Sequence, residues 1–516
     1  MPSTNDDENN NSGSSRSKIV RSFKVMDILR GANELQEKLN RDYAEKTGTS
    51  VNSSASEIDG PEKVLHLEVG QPESGAPHTV ASAAVEALTM PRAKTNVMGY
   101  TDAFGLLELR HKIRQHYINK YGGDSGDNDN DESNVNSNNN SNGTALQIPD
   151  ISQIVVTTGS SGAFLLAFTA CFDPNDTVAI ASSGYPCYRN ILQALGCSIA
   201  TVGINDEYKI TATELEKEIQ ARKESNAPRI KGLILSSPSN PTGSMLTPKE
   251  LKELCELCNR ENIVFMSDEI YHGISYGNVK EATALQYAAA TSSSGTNENI
   301  VVINSFSKYY SMPGWRLGWM VVPQRFVQSI NKLQQNMFIN APTVSQTAAL
   351  KCWDTDTIAE LETHVTKYKA NRAAILDRFD TKTGGETKSE GAASVLKGLM
   401  LETNVAPADG GFYVYVDLGD EFVCMEPDET NNGVVLDSVK LCELLLEKEY
   451  VALTPGIDFE DPECPMNLGR RRFRISYAGG TENITKAIDK FVRFWNEVWL
   501  PLVASAKNNK NRRKPC

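Results

Sequence analysis

The segment Ser305-Phe306-Ser307-Lys308, with Arg316 further along the chain, holds the residues best suited to chemistry. It directly follows a Val- and Ile-rich run that is typical of a buried strand. A lysine just past such a strand can form a Schiff base when its amine is partly desolvated. The serine hydroxyls and the guanidinium nearby are groups that bind phosphate. By itself, however, Lys308 is more simply a surface lysine in a loop, so its chemistry depends on the residues that surround it.

Two further polar segments each follow a predicted strand. Asn240 lies in a Ser-Asn-Pro-Thr-Gly motif, and Asp268 and Tyr271 lie in a Ser-Asp-Glu-Ile-Tyr motif. Polar side chains just past buried parallel strands are candidates for binding a ligand. Each motif also has a plain structural interpretation, because Asn-Pro-Thr-Gly is an ordinary turn and Asp268 could simply cap a helix.

A Gly- and Ser-rich turn at 158–163 lies between a strand and an apolar helix. Small residues let the backbone approach an anion, and the start of a helix supplies N–H groups. The turn, which contains Ser160 and Ser161, is therefore a candidate for binding an anion. Such a turn is a weak signal when it stands alone.

A cluster of arginines near the end of the chain offers a site for a carboxylate. Arg474 lies in a predicted strand, and Arg470, Arg471 and Arg472 are close by in sequence. An arginine can hold a carboxylate with two parallel hydrogen bonds. Charge alone does not choose among the four.

The elements that must position these residues alternate between strand and helix. Short runs rich in Val and Ile, which are typical of strands buried on both faces, occur at 154–157, 177–181, 231–235, 263–266 and 300–304. The clearest helix is 247–260, where Thr247 is an N-cap, Pro248 occupies the first helical position and Glu250 completes a capping box. The alternation predicts an α/β fold with a mainly parallel sheet. Ligands of such sheets bind at the carboxyl ends of the strands, where the polar motifs fall.

The spacing of Ser305, Lys308 and Arg316, within a segment that includes Pro-Gly-Trp-Arg-Leu-Gly, resembles the cofactor-lysine motif of the class I and II aminotransferases. The run is similar to the branch that includes many bacterial aspartate, aromatic and kynurenine aminotransferases. The other motifs follow in the order that the family has, from about residue 23 to residue 498. The resemblance implies pyridoxal 5'-phosphate (PLP) as cofactor. It also implies PLP fold type I, an α/β fold with a mainly parallel, seven-stranded sheet in a large domain and a smaller α+β domain.

The resemblance assigns catalytic roles to three residues. Lys308 carries PLP and acts as general base, Asp268 binds the pyridine nitrogen, and Tyr271 binds the phenolic oxygen together with Asn240. Tyr185 would stack on the pyridine ring, although a core tyrosine remains a rival interpretation. The residues implied at the phosphate are Ser160, Ser161, Ser305, Ser307 and Arg316. No metal is implied.

The family pattern also selects substrate-binding residues. The Arg-X-Ser-X-Ala pattern selects Arg474 as the residue that binds the substrate α-carboxylate, with Asn240 nearby. Gly70 matches the glycine whose backbone lies against the substrate. Tyr100 matches a tyrosine that reaches the phosphate of the neighbouring subunit, which implies a homodimer with shared active sites.

Substrate preference is open at the level of sequence. Some members of the branch that prefer aspartate have a lysine in the phosphate-loop segment, where this chain has Ser161. A serine can offer a hydrogen bond but no charge. We therefore expect that the substrate is not restricted to dicarboxylic amino acids.

The domain organisation follows from changes in composition. We expect a start without structure at 1–20, an N-terminal helix and arm at 21–64, a large PLP-binding domain at 65–345 and a small domain at 346–500. An Asn-, Asp- and Ser-rich insertion at 122–147 cannot bury a core. A tail is predicted at 501–516, and its basic residues 507–514 are expected to be solvated, with a nuclear address as the alternative. Padding is also predicted at 290–299 and 382–394.

Composition excludes several classes of function. The net charge of −13 makes nucleic acid an improbable partner. No apolar stretch approaches the ~20 residues that cross a membrane. Ten cysteines without a disulfide-like framework and a start without an apolar signal core favour the cytoplasm.

The predicted function is transamination between an L-amino acid and a 2-oxo acid by a ping-pong cycle. Two alternatives share the same cofactor site. One is a β-lyase that cleaves C–S bonds, and the other is a non-catalytic PLP-binding regulator. Regulators of this fold carry a DNA-binding module in front, for which the start of this chain is too short and too acidic.

Overall fold

A computed structural model describes residues 13–48, 60–90, 99–122, 146, 148–381, 395–428, 434–464 and 468–512. Most of the predicted insertion at 122–147, all of 382–394 and part of each predicted terminal segment lie outside these residues. The strands are β1 (Leu65–His66), β2 (Ile154–Thr157), β3 (Thr177–Ala181), β4 (Ser198–Val202), β5 (Ile230–Ser236), β6 (Val264–Asp268), β7 (Ile300–Ser305), β8 (Gly318–Val321), β9 (Phe379–Asp380), β10 (Leu396–Met400), β11 (Tyr413–Asp417), β12 (Cys424–Asp428), β13 (Val434–Leu436), β14 (Val451–Ala452), β15 (Thr454–Pro455) and β16 (Arg472–Ser476).

The helices alternate with these strands through the first part of the chain. They are α1 (Ser15–Ile19), α2 (Lys24–Thr47), α3 (His78–Thr89), α4 (Leu107–Tyr121), α5 (Gly159–Cys171), α6 (Pro186–Ala194), α7 (Ala212–Glu224), α8 (Pro248–Arg260), α9 (Leu285–Ala288), α10 (Gln324–Met337), α11 (Thr343–Ala349), α12 (Thr355–Leu376), α13 (Leu401–Asn404), α14 (Ser438–Glu449), α15 (Thr481–Phe494) and α16 (Leu500–Arg512). The predicted capping box of α8 is present. Thr247 accepts from the N–H of Glu250 at 3.2 Å, and the Glu250 carboxylate accepts from the N–H of Thr247 at 2.7 Å.

A seven-stranded sheet in the order β2-β8-β7-β6-β5-β3-β4 forms the centre of the first part of the chain. The strands from β7 to β4 in this order are parallel, and β8 is antiparallel to both β2 and β7. The α/β prediction is confirmed, as is the mainly parallel sheet of seven strands. Strands β5, β6 and β7 are almost entirely buried because apolar clusters lie on both faces of the sheet.

The register of the parallel strands brings their carboxyl ends to one edge of the sheet. Ser236 at the end of β5 pairs with Asp268 at the end of β6, and Asp268 pairs with Ile303 of β7. The loop that carries Lys308 leaves β7 two residues further on. The polar motifs therefore converge at this edge.

A smaller antiparallel sheet, β11-β16-β15, forms in the second part of the chain. In this sheet Tyr415 pairs with Arg474, and Arg474 pairs with Thr454 on its other side. Helices α12, α14 and α15 share one apolar cluster with these strands. The sheet thus fixes the position of Arg474 within a rigid core.

The two ends of the described chain differ from the expectation. The start was expected to lack structure, but α1 begins at an N-cap, Ser14, and Asn190 of α6 donates to the Arg21 carbonyl at 3.1 Å. At the other end, the predicted tail segment begins as helix α16, in which Val503 and Ala506 are buried because they lie on one face. Within the described residues, no helix is both long and apolar enough to cross a membrane.

Candidate active site

Lys308 lies at the centre of the group at the sheet edge. Its Nζ donates to the Gly70 carbonyl at 2.6 Å and lies 5.6 Å from the centre of the Tyr271 ring. Burial, and then repulsion from the Arg474 and Arg316 guanidiniums, lowers the pKa of the Lys308 amine to about 8, while Asp268 opposes this shift. A substantial fraction of the amine is therefore unprotonated near neutral pH, as a nucleophile or a general base requires.

Asp268 is buried at the end of β6. Its Oδ2 accepts a short hydrogen bond from the Tyr188 hydroxyl, and its Oδ1 accepts from the N–H of Ile270 at 3.1 Å. Burial raises the pKa of Asp268 to about 7, while both hydrogen bonds lower it. Each carboxylate oxygen keeps a further lone pair, so Asp268 can still accept a hydrogen bond from a cationic ring.

Tyr271 faces a tyrosine that the motifs did not indicate. The hydroxyl oxygens of Tyr271 and Tyr413 lie 2.7 Å apart, and both rings are buried. Tyr413 also explains Gly70, because a Cβ at residue 70 would collide with the Tyr413 hydroxyl. No sequence signal marks Tyr413, because every residue of β11 is buried and the strand has no alternation that would indicate a functional face.

Arg474 is the arginine that the structure leaves available. Its Nη1 donates to Asn240 Oδ1 at 2.9 Å, and its Nη2 donates to the Glu68 carbonyl. Its guanidinium lies between two aromatic rings, 4.5 Å from the centre of Tyr413 and 4.7 Å from that of Phe459. Its buried Nε has no hydrogen-bond partner among the described residues.

The neighbouring arginines are neutralised by acidic residues. Arg470 pairs with Asp437 at 2.5 Å, and Arg472 pairs with Asp417 at 2.8 Å and with Glu460 at 3.0 Å. Arg471 also pairs with Asp417, at 2.7 Å. Within the described part of the chain, no such ion pair holds Arg474. This difference is the physical reason for choosing Arg474 among the four.

The Gly- and Ser-rich turn lies against Arg316. Gly159 begins α5 with a left-handed φ of 67°, and a Cβ there would collide with the Arg316 guanidinium. The backbone of Arg316 also lies in the left-handed region, with a φ of 50°. Its Nη1 donates to the Pro313 carbonyl at 2.9 Å. The glycine and the arginine thus form a cradle near the helix start, with Ser160 half-buried and Ser161 exposed.

The two serines before Lys308 differ in their surroundings. The Ser305 hydroxyl is buried, donates to the Leu317 carbonyl at 3.4 Å and accepts from the N–H of Ser307 at 3.1 Å. Ser305 therefore stabilises the turn that presents Lys308. The Ser307 hydroxyl itself makes no side-chain hydrogen bond within the described residues.

Tyr185 and Tyr100 lie at different distances from this group. Tyr185 is the N-cap of α6, and its ring meets that of Tyr188 edge-on at 5.6 Å. Tyr100 is 82 % exposed, unlike the buried residues of this group. Within one chain, the structure brings all the predicted site residues to the same region except Tyr100.

A cavity of about 950 Å³ adjoins these groups. Tyr185, Tyr188, Asn240 and Phe459 line one side, and residues between 13 and 24 line the other. Asp458 holds the second wall in place, because its carboxylate accepts from the N–H groups of Lys24 and Val25, each at 2.9 Å. Of the predicted site residues, Tyr185 and Asn240 line this cavity, whereas Lys308, Asp268 and Arg474 do not.

The donor set fits PLP. A buried carboxylate suits a pyridinium nitrogen, an amine with a lowered pKa suits an aldehyde, and the cradle of Gly159 and Arg316 suits a phosphate. Each group lies on a different element, and all of them meet at the sheet edge. The residues present are thus those that this cofactor needs.

Comparison with known proteins shows the family to which the chain belongs. The family model described as "Aminotransferase class I and II" matches residues 62–491. A valine–pyruvate aminotransferase of Mycobacterium tuberculosis is 35 % identical over 85 % of this chain and 91 % of its own length. A (5-formylfuran-3-yl)methyl phosphate transaminase of Methanocaldococcus jannaschii is 29 % identical over 92 % of this chain and 97 % of its own length. A crystal structure of an aminotransferase from M. tuberculosis has a TM-score of 0.70 and 32 % identity, and the match covers 95 % of this chain and 99 % of that one.

Proposed function

The chain belongs to the class I and II aminotransferases, and we propose that Lys308 and its neighbours use PLP to move an amino group between an L-amino acid and a 2-oxo acid. The observation that carries the assignment of roles is the surroundings of Lys308. Burial lowers the pKa of its amine, and the charges of Arg474, Arg316 and Asp268 all act on this amine. These are the groups needed for the substrate carboxylate, the phosphate and the ring nitrogen.

The cofactor would be held at three points. Arg316, Ser307, Ser160, Ser161 and the start of α5 would bind its phosphate, with Ser305 shaping the turn. Asp268 would accept a hydrogen bond from its ring nitrogen, and Tyr271 and Asn240 would bind its phenolic oxygen. Tyr185 would lie against the ring. PLP, when bound, supplies an electron sink for the bond that breaks at the substrate Cα.

The residues of the chain would then carry the substrate and its proton. The Arg474 guanidinium binds the α-carboxylate with two parallel hydrogen bonds, and Tyr413 and Phe459 fix the plane of this guanidinium. The Gly70 backbone lies beside the Lys308 amine, where no side chain obstructs the substrate. Lys308 Nζ, once unprotonated, accepts the proton from Cα.

A spectrophotometric screen of amino acids tests the proposal. Adding a substrate to the holoenzyme should convert the absorption of bound PLP to that of pyridoxamine phosphate, and a 2-oxo acid should reverse the change. Release of pyruvate or ammonia from a cysteine conjugate, without this conversion, would instead indicate a β-lyase. The relatives described above are named as aminotransferases, and no contact in the described structure favours either alternative.

We infer a substrate range that is not restricted to dicarboxylic amino acids. Ser161 carries no charge that could meet a second carboxylate. The M. tuberculosis relative is named for valine and pyruvate, whose side chains are neutral. Arg21 and Lys18 also line the cavity, but Arg21 is already paired with Glu463 at 3.1 Å.

We also propose a homodimer in which Tyr100 of one protomer reaches the phosphate bound by the other. Support comes from the exposure of Tyr100 and of a set of apolar side chains that a partner would cover, namely Val85, Leu88, Met90, Leu107, Met337 and Ile339. A stable, active monomer in sedimentation would contradict this.

We further propose that the protein works in the cytoplasm. The nine described cysteines are all free, which supports this compartment.

A further inference from the structure

Tyr188 contacts Asp268, the proposed partner of the ring nitrogen. It lies near the start of α6, and its hydroxyl donates a short hydrogen bond to Asp268 Oδ2. Both side chains are buried. The two residues are far apart in sequence, so the contact exists only because the fold brings the start of α6 to the end of β6.

Two aromatic neighbours hold the Tyr188 ring in its orientation. The Phe164 ring meets it at 5.1 Å with an interplanar angle of 74°, and the Tyr185 ring meets it at 5.6 Å with an angle of 86°. Both arrangements are edge-to-face, which is a favoured geometry for aromatic pairs. The Tyr188 hydroxyl is therefore aimed at Asp268 by packing on both sides.

We propose that Tyr188 is a positioning residue whose hydroxyl keeps Asp268 ionised and oriented toward the ring nitrogen of PLP. This inference rests on the role proposed above for Asp268. It extends that role to a residue that makes no contact with substrate in the proposed mechanism.

The electrostatics around Asp268 explain why such a residue is needed. Burial is the largest influence and raises the pKa of Asp268, and the neighbouring Glu269 carboxylate raises it further. The Tyr188 hydroxyl, the Ile270 N–H and the Lys308 amine act in the opposite direction. The other titratable groups that face this site are Tyr185, Cys187 and Tyr271.

The Tyr188 hydroxyl is suited to act as a permanent donor. Burial, followed by the charge of Asp268, raises the pKa of Tyr188 well above its ordinary value. It therefore keeps its proton across the working range of pH. Removing the hydroxyl leaves Asp268 with a higher pKa, so a larger fraction of this carboxyl is neutral at pH 7.

The alternative is that Tyr188 only fills space in the core. A positioning role and a packing role differ in the ligands that they affect. If Tyr188 acts through Asp268, it matters only for a ligand whose ring has a nitrogen facing Asp268. An analogue of PLP with carbon in place of this nitrogen (1-deazapyridoxal phosphate) keeps the phosphate, the aldehyde and the phenol. It removes only the contact with Asp268.

The experiment is a binding titration of the apoprotein with PLP and with the deaza analogue. Tyr188→Phe should weaken PLP binding about tenfold, since the charged Asp268 carboxylate, which would bind the ring nitrogen, loses a hydrogen bond. It should change binding of the deaza analogue by no more than about twofold. Tyr117→Phe is the matched control, because Tyr117 is equally buried and loses a hydrogen bond to Trp319, at 3.1 Å, away from the site.

Equal weakening of both ligands by Tyr188→Phe would overturn the inference in favour of packing, and so would unchanged binding of PLP. If Tyr188→Phe does not fold, Tyr188→Leu is measured by the same criterion, because leucine also lacks the hydroxyl donor and the deaza analogue still controls for lost packing. Failure of the unmodified apoprotein to bind PLP would contradict the proposed function instead.

Discussion

The hydroxyl oxygens of Tyr271 and Tyr413 lie 2.7 Å apart. Tyr271 follows β6 of the large sheet, and Tyr413 begins β11 of the small one. The contact therefore joins the two sheets at the place where the proposed substrate binds. The ring of Tyr413 also lies against the Arg474 guanidinium, so one side chain touches the proposed sites for both the phenolic oxygen and the α-carboxylate.

Tyr413→Phe should lower kcat/KM by roughly fivefold, since the buried Tyr271 hydroxyl loses a partner worth ~1 kcal/mol. The ring remains, so the support of Arg474 is kept. Steady-state kinetics with a good amino donor measures the effect. Tyr310→Phe, which removes a buried hydroxyl elsewhere, serves as the control. A kcat/KM identical to that of the unmodified enzyme would show that the Tyr271 hydroxyl needs no such partner.

Lys308→Ala should lower turnover by ~10²- to 10⁴-fold, which is the usual contribution of a general base. The phosphate contacts should still retain PLP. Borohydride reduction of the unmodified holoenzyme should attach PLP to Lys308, as peptide mapping can show. Lys249→Ala is the control, since the Lys249 side chain is 84 % exposed. Label on another lysine would contradict the assignment.

Gly70→Ala should impair both binding and turnover, because the new methyl group would collide with the Tyr413 hydroxyl. Displacing Tyr413 would disturb Tyr271 and Arg474 together. Gly75→Ala is a matched control nearby in sequence, since a Cβ there meets no atom within 4 Å. Thermal unfolding and kcat/KM should both be measured. If the two variants behaved alike, the close approach of Gly70 and Tyr413 would have no functional weight.

The pKa of Lys308 can be tested in the apoprotein. An amine reacts with an acylating reagent only when it is unprotonated, so the rate at Lys308 should rise with pH and reach half its maximum at about pH 8. Arg474→Gln removes a neighbouring positive charge, so the pKa of Lys308, and with it this midpoint, should move upward. Mass spectrometry of the labelled peptide gives the rate. A midpoint that moved downward would contradict the stated sign of the Arg474 contribution.

Ser161→Lys should shift preference toward aspartate by roughly tenfold relative to alanine, which is the difference between a charge-assisted and a neutral hydrogen bond. The unmodified enzyme should show no such preference. The measurement is kcat/KM for aspartate, alanine, phenylalanine and kynurenine. An unmodified enzyme that favoured aspartate by more than about a hundredfold would refute the inferred substrate range, and the cation would then be sought among Lys18 and Arg21.

The fold class was predictable because the polar motifs follow Val- and Ile-rich runs, and parallel strands end at one edge. The same reasoning places Lys308, Asp268 and Asn240 at that edge, whereas their roles came from the resemblance to the aminotransferase motifs. The contacts of Tyr188 and Tyr413 could not be predicted, because each depends on helices or strands that pack from distant parts of the chain. Arg474 was chosen by pattern alone. The physical reason for that choice, the ion pairs that occupy Arg470, Arg471 and Arg472, appears only in three dimensions.

Residues between 13 and 24 form one wall of the cavity beside the strand ends. This segment belongs to neither sheet and is anchored by the Asp458 carboxylate, whose neighbour Phe459 lies against Arg474. Substitutions in this wall alter the shape and charge of the cavity without moving the groups at the strand ends. The shape of the cavity and the groups at the strand ends therefore depend on separate parts of the chain, so one can be altered by substitution without the other.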